Sequence, residues 1–304
     1  MQVKAISWNL FHGRDFPPDP ALRTWRSRLL RVTERNETHV QVNRDLLDEF
    51  AHVLAEAEWD VALLQECPPR WRDPLARACG AQAHRALTSR NSLAPLRSLA
   101  ARLNPDLIAS GEGGSNLTLV RPIPPSTVSS VPYRHISHSG TIVERREPAI
   151  HEGRPERRAM AFTRIALPGG GDAGRADLCV ANLHATAGDA ELASEDVRRA
   201  ARAATEWAGD SPLLFGGDLN LGPARSPAVF AELRDRFGLD GPTVPHAIDH
   251  LLTRGLEIVE PPRPWPAERR ELRERRELRE DGRALRLSDH APIVGCFATP
   301  GSRG

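Results

Sequence analysis

Residues 212–220 read Pro212-Leu213-Leu214-Phe215-Gly216-Gly217-Asp218-Leu219-Asn220. An apolar run passes through two glycines into an acid and an amide two positions apart. On an extended strand, positions i and i+2 share a face, so Asp218 and Asn220 project together from a strand end. The glycines let a neighbouring group come close. Alone, the pattern is also that of an Asx turn closing a strand. Its weight comes from its recurrence elsewhere in the chain.

Outward from this stretch, Val180-Ala181-Asn182-Leu183-His184 again ends an apolar strand with two polar residues on one face. In Leu287-Ser288-Asp289-His290-Ala291-Pro292-Ile293 an acid and an imidazole are adjacent. They cannot both point inward from a regular strand, so they belong to the loop before the strand that starts at Ile293. There the carboxylate can take a hard metal while the imidazole reaches a substrate. Ala247-Ile248-Asp249-His250-Leu251-Leu252 sets an acid in an apolar strand. A buried carboxylate needs a partner, and His290 fits, with Asp249 fixing its tautomer and raising its basicity. His250 points to the opposite face and is structural. Ile6-Ser7-Trp8-Asn9 ends a strand in an amide, and Leu63-Leu64-Gln65-Glu66 ends one in a carboxylate. Taken singly these are turn residues; as an ordered set they describe one site.

Further strand-like runs are Val3–Trp8, Val61–Gln65, Leu117–Val120, Ala159–Ile165, Leu178–Leu183, Leu213–Phe215, His250–Leu252 and Ile293–Phe297. Helical spacing fits Arg44–Glu58 and Ala190–Trp207. Strands and helices recur from end to end, which predicts a single α/β domain over 1–304. Insertions or loops are expected near 14–43, 122–155 and 260–285. The last holds Glu-Arg-Arg-Glu-Leu-Arg twice, at 268–273 and 274–279. Leu272 and Leu278 do not share a helical face, so the repeat reads as a solvated low-complexity segment.

Lys and Arg total 41 against 40 Asp and Glu, a net charge of +1. That balance excludes binding of a polyanion by bulk charge, so any such contact must be local. Cys67, Cys79, Cys179 and Cys296 are dispersed, as expected of reduced thiols in an intracellular protein. The amino terminus lacks a signal-peptide pattern, and no apolar run approaches the roughly 20 residues that span a bilayer. The expectation is a soluble, cytoplasmic monomer with no transmembrane segment.

Trp8-Asn9, Gln65-Glu66, Asn182-Leu183-His184, Gly217-Asp218-Leu219-Asn220, Ile248-Asp249-His250 and Ser288-Asp289-His290 resemble the ordered motifs of the endonuclease/exonuclease/phosphatase family. Gly114-Ser115-Asn116 and Arg157-Arg158-Ala159 look like two further features of it. The resemblance runs from residue 6 to residue 293. It implies a DNase I-like four-layer α/β sandwich, two facing mixed β-sheets flanked by helices. It implies Mg²⁺ or Mn²⁺ held by Asn9, Glu66 and Asp289, with His184, Asp218, Asn220, Asp249 and His290 catalytic. In that scheme His184 and Asn220 hold phosphate oxygens and Asp218 orients or deprotonates the attacking water. Asn116, Arg158 and His12 are expected at the substrate.

Leu10-Phe11-His12-Gly13 follows Asn9 where DNA-repair nucleases of the family carry an acid. The only tyrosine, Tyr133, lies in a Pro-rich stretch with no matching motif. The expected substrate is a phosphate ester, nucleic acid or a small phosphodiester. The rivals are a phosphomonoesterase of lipid or inositol phosphates and a non-catalytic binder of phosphorylated ligands.

Overall fold

The computed structural model describes residues 1–30, 32–88, 96, 99–100, 103, 114–122, 141–151, 158–167, 177–272 and 282–299. In chain order the strands of its two main sheets are β1 (Gln2–Asn9), β2 (Val61–Gln65), β3 (Gln82–Leu87), β4 (Ser115–Val120), β5 (Thr141–Arg146), β6 (Ala161–Ala166), β7 (Asp177–His184), β8 (Leu213–Asp218), β9 (Asp249–Arg254), β10 (Glu257–Pro264) and β11 (Ile293–Ala298). The helices are α1 (Trp25–Leu30), α2 (Leu47–Glu56), α3 (Arg72–Ala78), α4 (Ala190–Ala208) and α5 (Pro227–Phe237). One sheet runs β10-β11-β1-β2-β4-β3 and the other β9-β8-β7-β6-β5. Each is built around one parallel pair, β1 with β2 and β7 with β8, and its other neighbours are antiparallel.

The period of two along each strand sorts side chains into layers. Val3 and Ala5 of β1 join Leu63, Val180, Leu214, Leu251 and Phe297 in the core between the sheets. Ile6 and Trp8, on the other face of β1, pack with Phe50 and Leu54 of α2 and Leu75 of α3. Ala181 and Phe215 face Val197 and Ala201 of α4 and Leu233 of α5. Helix, sheet, sheet, helix is the expected four-layer sandwich. Helix α4 can lie close because the stripe it turns to the sheet is small (Ala193, Ala200, Ala201 and Ala204), and Asp189 caps it by accepting from the Glu191 and Leu192 amides.

Toward the site the inter-sheet layer turns polar. Gln65 Nε2 donates to Asn182 Oδ1 (2.8 Å). Asn182 Nδ2 lies 3.3 Å from Leu64 O and 3.2 Å from Leu117 O. Asn182 thus ties the two sheets together beneath the site. Asn182→Ala leaves a buried amide donor and two carbonyls without these bonds, so a loss of about 2–4 kcal/mol is expected. Urea unfolding checks this; a loss under about 0.5 kcal/mol would refute the tie.

Several expectations change. The run Ala159–Ile165 is broken at Met160: Arg158–Ala159 pairs with Ala149–His151, and β6 begins at Ala161. The 122–155 stretch contributes edge strand β5, and 260–285 begins inside edge strand β10. Residues 268–272 of the first Glu-Arg-Arg-Glu-Leu-Arg copy are built into the fold. Glu271 and Leu272 pair with Arg286 and Leu285, and Glu271 bonds Arg286 (2.6 Å) and His39 (3.3 Å). The second copy, Tyr133 and Arg157 lie outside the described residues.

Candidate active site

Topology gathers the strand ends. Because β1 and β2 run parallel, Asn9 and Glu66 emerge side by side. Because β7 and β8 run parallel while β9 returns antiparallel, His184, Asp218 and Asp249 fall in one register row. Strand β11 starts beside Ser7, which brings the loop 288–290 over the same end. The sequence therefore places an amide and a carboxylate on one sheet opposite an imidazole and two carboxylates on the other.

Asn9 bridges the sheets: its Nδ2 donates to Asp218 Oδ2 (2.9 Å), and its Oδ1 accepts from the Phe11 amide (2.9 Å). Asp218 Oδ1 accepts from the Asn220 amide (3.0 Å), so the Asx turn and the site carboxylate are the same residue. Asn220 lies past the strand end in a left-handed conformation (φ 51°) and sends Nδ2 to Ala185 O (3.0 Å). Gly216 and Gly217 are required here. A Cβ on Gly216 would sit 2.4 Å from His250 O, and one on Gly217 1.9 Å from Leu183 O.

His290 Nδ1 donates to Asp249 Oδ2 (2.7 Å), and its Nε2 stands 3.9 Å from both Asp218 Oδ2 and Asp289 Oδ1. Burial opposes its charge, but Asp249, then Asp218 and Asp289, outweigh burial and push its pKa up to about 10. Burial, reinforced by the charge of Asp249, pushes Asp218 up to about 7. His184 is driven down to about 4, first by burial and against the pull of Glu66. Arg158 Nη1 faces its Nδ1 at 3.5 Å. The guanidinium can only donate, so Nδ1 accepts and the proton sits on Nε2. That Nε2 is buried with no hydrogen-bond partner, 3.6 Å from Glu66 Oε1 and 3.7 Å from Asp218 Oδ2.

Glu66 is held between two imidazoles, with His12 Nε2 3.1 Å from Oε2. Burial raises its proton affinity, but His12 and His184 more than reverse this and hold its pKa below the ordinary value. Asp289 moves the other way, raised by burial and by the nearby charge of Glu66. Two carboxylates that disfavour each other's charge, beside the Asn9 amide, form a hard oxygen-donor set of the kind Mg²⁺ and Mn²⁺ take. Among the described residues, Asp218, Asp249 and His290 are the group of three acids and imidazoles whose ligand atoms lie within 4.8 Å of one another, and the 2.7 Å Asp249–His290 bond joins two of the three.

The structure thus brings Asn9, His12, Glu66, Arg158, His184, Asp218, Asp249, Asp289 and His290 together. Asn116 is buried and sends Nδ2 to Ala159 O (2.8 Å), so it ties β4 to the segment carrying Arg158. His250 is structural as expected, bonded to Leu221 O (2.9 Å) and accepting from the Thr243 amide (3.1 Å).

Among the described residues, the non-glycine residues with positive φ are Phe11, His12, Glu66, Asn220 and Ser288. All lie where strands end at this site, which is where a fold stores backbone strain. Sequence reading missed how Ser288 is held. Its Oγ donates to Asn9 O (2.6 Å) and accepts from the His290 amide (3.0 Å). Arg270, from the first repeat copy, donates Nη1 to the carbonyls of Leu287 and Ser288. Trp8 Nε1 donates to His290 O (3.1 Å). A charged hexapeptide carries no mark of such a task.

Residues 6–290 match the Endonuclease/Exonuclease/phosphatase family, and the chain belongs to that family. No curated protein sequence matches it. Among solved structures, it resembles an endonuclease/exonuclease/phosphatase from Beutenbergia cavernae, with TM-score 0.61 and 15% identity over 99% of this chain and 72% of that one. A Bacteroides thetaiotaomicron mannosyl-6-phosphatase gives TM-score 0.57 and 14% identity over 97% and 99%. The human Nocturnin catalytic domain, solved with a bound sulfate anion, gives 0.56 and 12% over 98% and 93%. At these identities the likeness establishes the fold. No helix among the described residues is long and apolar enough to cross a membrane, and all four cysteines are buried free thiols.

Proposed function

We propose that this chain is a divalent-metal-dependent phosphoesterase that acts preferentially on phosphodiesters by attack of water on phosphorus. The observation carrying this reading is the register row His184–Asp218–Asp249, with His290 closing over it and Asn9 and Glu66 opposite.

Glu66 and Asp289, with the Asn9 amide oxygen, would hold Mg²⁺ or Mn²⁺. The ion supplies neutralisation of the phosphate charge that otherwise repels a nucleophile. His184 presents a buried, unsatisfied Nε2–H, the donor a phosphoryl oxygen needs. Arg158 keeps that tautomer and adds positive charge on the same side. His290, held protonated by Asp249, stabilises charge developing on phosphorus-bound oxygens. Asp218, with its pKa near 7, accepts the proton of the attacking water. Asn9 fixes the direction in which that carboxylate points.

The purified protein is expected to hydrolyse bis-p-nitrophenyl phosphate with Mg²⁺ or Mn²⁺. It should lose turnover in EDTA and regain it when metal is returned. A p-nitrophenyl phosphate arm and a plasmid arm separate monoester and nucleic-acid substrates. Absence of metal-dependent turnover across a broad phosphoester panel would sink the proposal.

A further inference from the structure

We propose that this chain docks on anionic lipid surfaces through two arginine-rich, acid-free stretches rooted beside its site, which brings the site to the phosphate esters of lipid head groups. The docking stands apart from the phosphoesterase reading; only the choice of substrate rests on that reading.

The first observation is exposure. Among the described residues, Trp25, Leu30, Leu96, Leu99 and Leu103 are each 59–64% exposed, and every other large apolar side chain is less than half exposed. All five fall in two short stretches, with exposed Val32 beside the first. Apolar residues scattered singly on a surface need no explanation, whereas grouped ones mark an interaction face. Leu96, Leu99 and Leu103 are helical, and positions i, i+3 and i+7 lie along one side of a helix.

The second observation is charge. Residues 20–33 hold Arg23, Arg26, Arg28 and Arg31, residues 88–105 hold Arg90, Arg97 and Arg102, and neither stretch contains an Asp or Glu. In a chain of 41 basic and 40 acidic residues, each is a local excess of positive charge. An anionic lipid surface complements both features at once. Its head groups attract the guanidinium groups, and its interfacial layer takes up Trp and Leu side chains. A nucleic acid would match the arginines but leave the three helical leucines in water.

The third observation is placement. The first stretch belongs to an insertion tied down by polar bonds. Asp15 Oδ2 accepts from the Val42 amide (2.9 Å), Asn36 Nδ2 donates to Asp19 Oδ2 (3.0 Å), and Asn43 Nδ2 donates to Val32 O (3.0 Å). That insertion starts against the loop carrying Asp289, where the Ser288 amide donates to Arg14 O (3.0 Å). The second stretch follows Thr88, whose amide donates to Gly114 O (3.0 Å), and a Cβ on Gly114 would lie 3.7 Å from Glu66 Cα. Both stretches are thus rooted at the proposed ion carboxylates, at the end of the sandwich where a substrate enters.

The test uses the full chain in co-sedimentation with phosphatidylcholine vesicles, either pure or containing about 30% phosphatidylserine. Binding is expected to be at least about tenfold tighter to the anionic vesicles and to be lost in about 0.5 M NaCl. Brominated lipid should quench Trp25, the one exposed tryptophan among the described residues. Trp25→Ser with Leu30→Ser, and Leu96→Ser with Leu99→Ser and Leu103→Ser, should each weaken vesicle binding about tenfold or more. Both variants should keep wild-type turnover of bis-p-nitrophenyl phosphate, and circular dichroism confirms folding. Vesicle binding that ignores phosphatidylserine, or that survives both sets of substitutions, overturns the proposal. So does tighter binding of a DNA oligonucleotide that the serine variants retain, or a wild-type dimer that they dissolve. A wild type that ignores vesicles but hydrolyses bis-p-nitrophenyl phosphate removes the docking alone; one that binds vesicles but turns over no phosphoester removes only the phosphoesterase reading and the substrate choice.

Discussion

Asp218→Asn is expected to lower turnover about 10²–10⁴-fold on every phosphoester the wild type accepts, while binding of Mn²⁺ changes little. The substitution keeps the shape of the side chain and removes the only basic oxygen pair in the register row that faces both His184 and His290. Asp218 accepts one hydrogen bond from Asn9 and one from the Asn220 amide. An amide in its place can accept only one of these, so Asn9 loses its guide as the base is lost. The proposed ion ligands, Glu66, Asp289 and the Asn9 oxygen, are not themselves substituted, and Asn9 Oδ1 keeps its bond from the Phe11 amide, which separates a chemical loss from a binding loss. Steady-state kinetics with calorimetry of Mn²⁺ measures both. A variant within about threefold of wild type would remove Asp218 from the chemistry, whereas loss of Mn²⁺ binding would move it into the metal shell.

The second large effect is expected at Asp249→Asn: a rate loss of about 10²-fold together with a displaced pH profile. The sign follows from two shifts. His290 is held up at about 10 because Asp249, with Asp218 and Asp289, overcomes burial. It remains a cation until pH rises through that value. Asp218 is raised to about 7 by burial and then by Asp249, so the base becomes available as pH rises through about 7. Removing the Asp249 charge lowers both, and both limbs of the pH–rate curve should move to lower pH. The limbs belong to the interacting cluster, so their joint movement is the quantity to measure. In metal-free protein the same pair stabilises the fold fully below about pH 6.5, where the unfolded imidazole is also charged. That stability is lost as pH rises toward about 10. Asp249→Asn should flatten this decline in thermal melts. An alkaline limb that stays in place would refute the assignment of His290 to Asp249.

How much of this was legible in advance varies with the physics of each element. Strand β2 was read to the residue because Val61–Gln65 is buried on both faces, which leaves a continuous apolar run. Helix α4 matches the helical spacing expected over Ala190–Trp207, and the structure shows that the face it buries is mostly alanine. Strands β3, β5 and β10 were missed, and each is an edge strand. Edges are solvated on one side and defended by charge and proline, so Gln82–Leu87, Thr141–Arg146 and Glu257–Pro264 carry no clean apolar period. Asp218, Asp249 and His184 were legible because polar residues at strand ends interrupt apolar runs, and His290 because an adjacent acid and imidazole stand in the loop before one. Arg270 was not, because a guanidinium in a charged repeat looks the same whether it is solvated or clamps the carbonyls of Leu287 and Ser288.

The order of amides, acids and imidazoles along the chain determined the fold class and family, since strand ends and their residue types are local properties. Only the tertiary structure decided which atoms face one another. That Asn182 ties the sheets, that Asp218 is lifted to about 7, and that His12 reaches Glu66 depend on register and burial. Those are set by contacts between residues far apart in sequence, and no local pattern encodes them.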